Sequence, residues 1–319
     1  MLTYEYLKDK PGRFLALTSL YPEEFDELLV SFTKAWQEYL AEQERKRKKP
    51  RRRKIGGGRK GQLKRLEDKL LFILVYYKVY PLQEVQGLLF GLSQGQANTW
   101  IHVLSPILQA ALDHEKQLPS RDPQTLDEIL AACDTLDFTI DGTERRRQRP
   151  KDKEKQKECY SGKKKAHTNK NNVLANTDTR KAVYLSPTVA GKTHDKKICD
   201  QDQITFPANV LLGKDTGYQG YEPDGVITFQ PQKKPRGKPL GETTKFLNRI
   251  ISSVRIVVEH VISGIKRCRI VKDVFRNTKK DFDDLVMEIA CGLHNFRQSL
   301  RHPIQTVCLA DLAIHNYFQ

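Results

Sequence analysis

Apolar positions recur at helical spacing over residues 13–44, where Phe14, Leu17, Phe25, Leu28, Leu29, Phe32 and Trp36 predict a helical region. The pattern returns at Leu63. LKRLEDKLLFILVYYKVY predicts one helix ended by Pro81, and PLQEVQGLLFG a short second helix that stops at Gly91. In SQGQANTWIHVL, Ser93 is a good N-cap and Gln96, three residues on, completes a capping box. Ser105-Pro106 is expected to end that helix and start another, with Pro106 at its first position.

The period then changes. In DTLDFTIDGTE, Leu136, Phe138 and Ile140 alternate with Asp137, Thr139 and Asp141, which predicts a strand with Asp141 at its end, just before Gly142. RRRQRPKDKEKQKECYSGKKKAHTNK is basic and low in apolar residues, and reads as a loop or long hairpin. VLANT (173–177) and AVYLSPTVA (182–190) are further strands. VLL of VLLGKDTGYQG is a fourth, running into Asp215 and a Gly-bounded turn. A long helix follows, with Leu247, Ile250, Ile251, Val254, Val258, Val261 and Ile265 on one face. A final helix carries Phe282, Leu285, Val286, Ile289, Leu293 and Phe296 and is expected to cover the sheet. The chain divides into an N-terminal helical region (1–44), a basic Gly-rich linker (45–62), a helix-turn-helix region (63–115), a linker (116–133) and an α/β region (134–319).

Charge narrows the partners. The 55 Lys and Arg against 39 Asp and Glu leave a net charge of +16, which favours polyanions, nucleic acid above all. The longest apolar run, LLFILVYY (70–77), is too short to span a bilayer, and MLTYEYLKDK has no signal-like apolar stretch, so a membrane partner is not expected. Six cysteines without a CxxC pair support neither a disulfide framework nor a zinc site, and point to a reduced, intracellular protein. RKRKKPRRRK (45–54), with Arg51, Arg52 and Arg53, reads as a mobile basic linker able to touch phosphates. In the helix-turn-helix, Ser93, Gln94, Gln96, Asn98, Thr99 and His102 offer polar groups able to read base edges. A plain helical bundle with a polar outer face is the alternative, and basic context favours DNA. The runs RRRQR (145–149), KKK (163–165) and KKPRGK (233–238) are expected to offset repulsion between carboxylates and phosphates.

The candidate chemistry rests on acids. In RIVVEHVISGIK, Arg255, Glu259 and Lys266 share one helical stripe; a solvated face is the plain explanation, a metal ligand the other. Asp141 and Asp215 each precede a Gly turn, and any one aspartate there could be a turn former. Asp137, Glu144, Asp195 and Asp200 compete for the same roles. Three carboxylates converging without Cys or His suit a hard cation such as Mg²⁺ or Mn²⁺ that takes substrate phosphate as a further ligand. Arg255 and Lys266 would contact the DNA backbone or hold Glu259.

Asp141 in IDGT, Asp215 in GKDTGYQG and Glu259 in R-x₃-E-x₆-K resemble the DDE motif of bacterial insertion-sequence transposases, the branch similar to Harbinger-type elements. YSGKKKAHTNK and GKTHD resemble connecting segments of that family, and the N-terminal helices resemble its helix-turn-helix. One departure is Ser252, where a tyrosine is customary. The resemblance covers about Phe14 to Arg297. It implies an α+β or α/β chain: a helical helix-turn-helix region, then an RNase H-like domain with a mixed five-stranded sheet and helices on both sides. It implies Asp141, Asp215 and Glu259 as catalytic metal ligands for two Mg²⁺ or Mn²⁺ ions, supported by Arg255, Lys266 and Asp195. It further implies recognition of terminal inverted repeats in double-stranded DNA, end cleavage and joining of 3′ ends to target DNA. A homodimer or larger synapse is expected, in the bacterial cytoplasm at the nucleoid. A domesticated nuclease that cuts without transposing, and a DNA-binding regulator with idle acids, remain alternatives.

Overall fold

The structure is a computed structural model that describes residues 1–47, 61–234 and 240–302, leaving out the side chains of residues 250 and 253–255. Arg51, Arg52 and Arg53 therefore lie outside the described residues, as does the side chain of Arg255. Among the described residues six helices come first: α1 (Tyr4–Leu7), α2 (Pro11–Thr18), α3 (Pro22–Arg45), α4 (Leu66–Val79), α5 (Gln83–Phe90) and α6 (Gln94–His114). Leu70 to Tyr77 of α4 are all buried. A helix apolar all round belongs at the centre of a bundle, and α2, α3 and α6 surround α4.

The capping box forms as expected. Gln96 N–H donates to Ser93 Oγ at 3.3 Å, and Ser93 N–H to Gln96 Oε1 at 3.0 Å. The expected break at Pro106 does not occur, because α6 runs through it to His114. Ser105 donates its hydroxyl to the Ile101 carbonyl at 2.7 Å. Burial of Ile101, Leu104, Ile107 and Leu108 on either side of the proline outweighs the lost backbone bond.

The second half contains α7 (Leu126–Ala131), β1 (Asp137–Arg146), α8 (Lys153–Cys159), β2 (Tyr160–Ser161), β3 (Ala166–Asn176), β4 (Ala182–Leu185), β5 (Val189–Ala190), α9 (Asp195–Asp202), β6 (Val210–Lys214), β7 (Val226–Phe229), α10 (Glu242–Ile265), α11 (Arg269–Lys272) and α12 (Phe282–Arg301). The sheet is mixed and five positions wide. β2, β5 and β4 line one edge of β3; then come β1 antiparallel to β3, β6 parallel to β1, and β7 parallel to β6. Side chains of β3 alternate between two cores. Leu174 joins Phe138, Ile140, Leu212, Leu126 and Cys199 beneath α7 and α9, whereas Val173 and Ala175 join Val258, Val261, Ile265 and Val286 of α10 and α12. Helices thus cover both faces, the RNase H-like arrangement. The second of these cores also takes in α4 and α6, so the bundle and the sheet domain share one interior.

Four expectations change here. β1 continues past Gly142 to Arg146, so Asp141 lies inside a strand and not at its end. Part of the segment read as a loop forms α8, β2 and the start of β3, whose Thr168, Asn169, Lys170, Asn171 and Asn172 are all buried despite their polarity. Arg145, expected to serve DNA, is buried and donates to Asn171 Oδ1 at 2.7 Å, Thr188 Oγ1 at 3.1 Å and the Asp283 carbonyl at 3.0 Å. Its task is to tie β1 to β3 and α12. Residues 182–190, read as one strand, divide at Pro187 into β4 and β5.

Candidate active site

The parallel register of β1 and β6 builds the first half of the site. Ile140 pairs with Lys214, so Asp141 and Asp215 are the next residues on neighbouring strands. At that point β6 ends while β1 continues with β3, which opens the sheet. Phe138 and Ile140 face the α9 side; by alternation Asp141 falls on the face against which α10 packs. Asp215 Oδ1 accepts from Thr216 N–H at 2.6 Å, and Asp141 Oδ1 from Gly142 N–H at 2.7 Å.

The opposite face of the sheet fixes this pair. Asp195, the first residue of α9, presses its carboxylate against Gly142: a Cβ there would meet Asp195 Oδ1 at 2.5 Å. A Cβ on Gly217, two residues after Asp215, would meet Asp195 Oδ2 at 3.3 Å. Only glycine after Asp141 admits that approach, which gives IDG a steric reason. Lys170, buried on β3, lies 3.1 Å from Asp195 and 3.4 Å from Glu144, and so offsets the repulsion among these acids. Asn172 is the hub. Its amide donates to the Asp195 carbonyl and to Cys199 Sγ, both at 3.1 Å, and its Oδ1 accepts from the Tyr218 hydroxyl at 2.9 Å. One fully buried side chain on β3 thus holds both the start of α9 and the turn after Asp215. Burial, then the charges of Cys199, Asp195, Asp141 and Asp215, push the Tyr218 hydroxyl well above its ordinary value. Asn172 and Lys170 were not among the expected site residues, because HTNKNN has no apolar alternation to mark it as a strand.

Glu259 belongs to the second half. It is exposed on α10, between the buried Val258 and Val261. With Ile262 and Lys266 on the same stripe, it lines a cleft of about 570 Å³ that also takes in Lys78, Arg267, Arg269 and Lys272. Burial lowers the Lys266 ammonium below its ordinary value, Lys164 adds to the lowering, and Asp141 opposes it. The stripe carrying Glu259 therefore runs into the field of Asp141. Among the described residues no three His, Cys, Asp or Glu side chains stand together as a ready metal-holding group. The donor chemistry nonetheless fits a hard cation: Mg²⁺ keeps its waters and needs only one or two carboxylates besides substrate phosphate, and Asp141 and Asp215 supply two on adjacent strands.

In the helix-turn-helix, Ser93, Gln94, Gln96 and Thr99 are exposed at the start of α6. Ser93 and Gln96 cap the helix, Thr99 donates to the Gly95 carbonyl at 3.0 Å, and Gln94 and Asn98 both donate to Gln83 Oε1 of α5, at 2.6 and 3.2 Å. His102 is half-buried, its ring edge-on to Phe282 at 4.7 Å, so it joins α6 to the start of α12. No helix among the described residues is long and apolar enough to cross a membrane. The five described cysteines form no disulfide.

Residues 140–295 match the family model described as DDE superfamily endonuclease, and residues 61–113 that described as helix-turn-helix of DDE superfamily endonuclease. The chain is 29% identical over 262 residues to a probable transposase for insertion sequence element IS702 of Microchaete diplosiphon, covering 81% of this chain and 87% of the relative. It is 27% identical over 214 residues to a putative transposase for insertion sequence element IS112 of Streptomyces albus G, covering 65% and 72%. No solved structure matches the chain.

Proposed function

Since the chain belongs to the DDE-superfamily insertion-sequence transposases that carry an N-terminal helix-turn-helix, we propose that it binds the terminal inverted repeats of its own element, cleaves DNA at those ends and joins the 3′ ends to target DNA. The observation that carries this reading is the pairing of Ile140 with Lys214, which makes Asp141 and Asp215 neighbours on parallel strands at the sheet's opening. Asp141 and Asp215 would hold Mg²⁺ or Mn²⁺, and Glu259 would complete the set from α10. Bound as a pair, such ions supply activation of a water or 3′-hydroxyl and charge stabilisation at the leaving oxygen in an in-line displacement at phosphorus.

The chain's own residues have the remaining tasks. Asp195, from the reverse face, keeps the backbones after Asp141 and Asp215 in register. Lys266 and Arg255 on α10 would face the phosphates or hold Glu259, and cations there lower the repulsion between three carboxylates and a polyanion. Ser93, Gln94, Gln96, Asn98 and Thr99 at the start of α6 would contact the repeat, with Arg51, Arg52 and Arg53 adding phosphate contacts. Two ends must be processed together, so the working form would be a homodimer or larger synapse.

The test is Mg²⁺-dependent nicking of DNA that carries the element's ends, with strand joining read from sequenced donor-plasmid junctions. Asp215→Asn and Glu259→Gln should each abolish nicking while end binding in a gel shift persists. Nicking that survives in both variants would overturn the site. A wild type that shifts end DNA without ever nicking it would overturn the enzyme.

A further inference from the structure

A second cavity lies on the far flank of α10, where that helix crosses α12. It encloses about 390 Å³ and is lined by Arg180, His260, Arg267, His294, Arg297 and Arg301, with no acidic side chain among its lining residues. The crossing is tight because Gly264 lacks a side chain: a Cβ there would meet His294 Nδ1 at 2.3 Å. His294 Nε2 lies 2.9 Å from the Arg180 carbonyl, which fixes the N–H on that nitrogen and anchors the β3–β4 turn to the cavity wall.

Arg297 makes this cavity unusual. It is 2% exposed, and among the described residues no carboxylate lies within ion-pair distance of it. One Nη donates to the Gly264 carbonyl at 2.9 Å, while the other is buried with no hydrogen-bond partner. A buried guanidinium without a counter-charge is costly, and burial lowers it from its ordinary value to about 10. Arg180 and Arg267 stand exposed at the mouth, also without a carboxylate partner among the described residues. Arg301 is already engaged, since Glu24 takes its guanidinium at 2.6 and 2.7 Å. The cavity therefore offers three uncompensated guanidinium groups, one of them held rigid by packing.

We propose that this cavity is a phosphate-binding site, and that the phosphate it takes is one of the DNA backbone. Planar guanidinium forks match the oxygens of a phosphate, which neutral or cationic ligands would not satisfy. The DNA source is favoured by continuity. Arg267 and Ser263 line both this cavity and the Glu259 cleft, so the cavity adjoins a cleft in which the cations Lys78, Lys266, Arg267, Arg269 and Lys272 outnumber its one acid, Glu259. A strand leaving the acid pair along that cleft would meet the cavity on its way. The DNA assignment rests on the function proposed above; the phosphate site itself does not.

The experiment has two arms on the full-length protein. In the first, end-containing duplex is titrated at several salt concentrations with wild type and with Arg180→Gln/Arg267→Gln. Both positions are exposed, and the Arg180 main-chain carbonyl that His294 uses is kept. The double variant should bind more weakly, with a log K against log [salt] slope shallower by about 1. In the second, inorganic phosphate is added at constant ionic strength. It should raise the melting temperature of wild type, and neither that of the double variant nor that of Arg297→Met. A wild-type slope in the double variant overturns the DNA assignment even where free phosphate still binds, and the absence of a phosphate effect on wild type overturns the site. A wild type that binds no end DNA at all would count against the transposase reading, and the phosphate arm would still decide the cavity.

Discussion

Asp141 and Asp215 are held very differently from Glu259. The two aspartates are fixed by strand register, by glycines that admit Asp195, and by a buried asparagine that bonds both neighbouring segments. Glu259 is exposed on a helix whose described buried side chains are Val258, Val261, Ile262 and Ile265, whereas Phe246, Leu247 and Ile256 are exposed. One part of the site is thus seated on the sheet, and the other on a helix that packs over it. An enzyme that must not cut until its substrate is seated gains from that division, because assembly of the full acid set can be coupled to DNA binding.

Removing an acid has the largest expected effect. Asp215→Asn should lower nicking more than about 100-fold, beyond the usual range for a residue that merely orients a ligand. Glu259→Gln should match it in rate; the distinction is that Glu259→Gln should leave metal binding in the absence of DNA largely intact, measured by Mn²⁺ titration. Equal loss of DNA-free Mn²⁺ binding in both would show Glu259 to be as preassembled as the aspartates. Asn172→Ala comes next. It should lower nicking by about 10–100-fold with little change in end binding, because the aspartate segments lose their common tie. A wild-type rate would remove Asn172 from the site.

Gly264→Ala addresses the other half. The added methyl must displace His294, so a loss of about 1–3 kcal/mol in a denaturant melt is expected. An unchanged midpoint would mean that α10 and α12 separate readily. The smallest effect is in pH. Burial lowers the His294 imidazole to about 3 from an ordinary value near 6.5. The unfolded chain therefore takes up a proton that the folded one refuses, and His294 stabilises the fold fully above pH 6.5 and progressively less as pH falls towards 3. Between pH 7 and pH 5 this amounts to on the order of 1–2 kcal/mol, and His294→Gln should flatten that part of a melting-temperature profile.

The pinned half was also the easier half to see in the sequence. The alternation of Leu136, Phe138 and Ile140 marked β1 and placed Asp141, and GKDTG marked Asp215, but their adjacency needed the parallel register, which no local pattern encodes. What escaped notice was polar and long-range. Arg145 and Asn172 look like solvated loop residues until partners 26 to 138 positions away for the one, and 14 to 46 for the other, are brought to them. β7 is four residues long and only partly buried, too weak a signal to stand out. Pro106 misled because propensity is local, whereas the packing that carries α6 past it is not. Ser93 with Gln96 was legible because a capping box is complete within four residues.

The interior that α4 and α6 share with α10 and α12 has a consequence for measurement. Because α6 packs on α12, α12 on α10 and α10 on β1, α6 and the strand that carries Asp141 are tied through one packed interior. A repeat seated on α6 would present the same bond to the acids each time, so the protein itself would act as the ruler that sets where an end is cut.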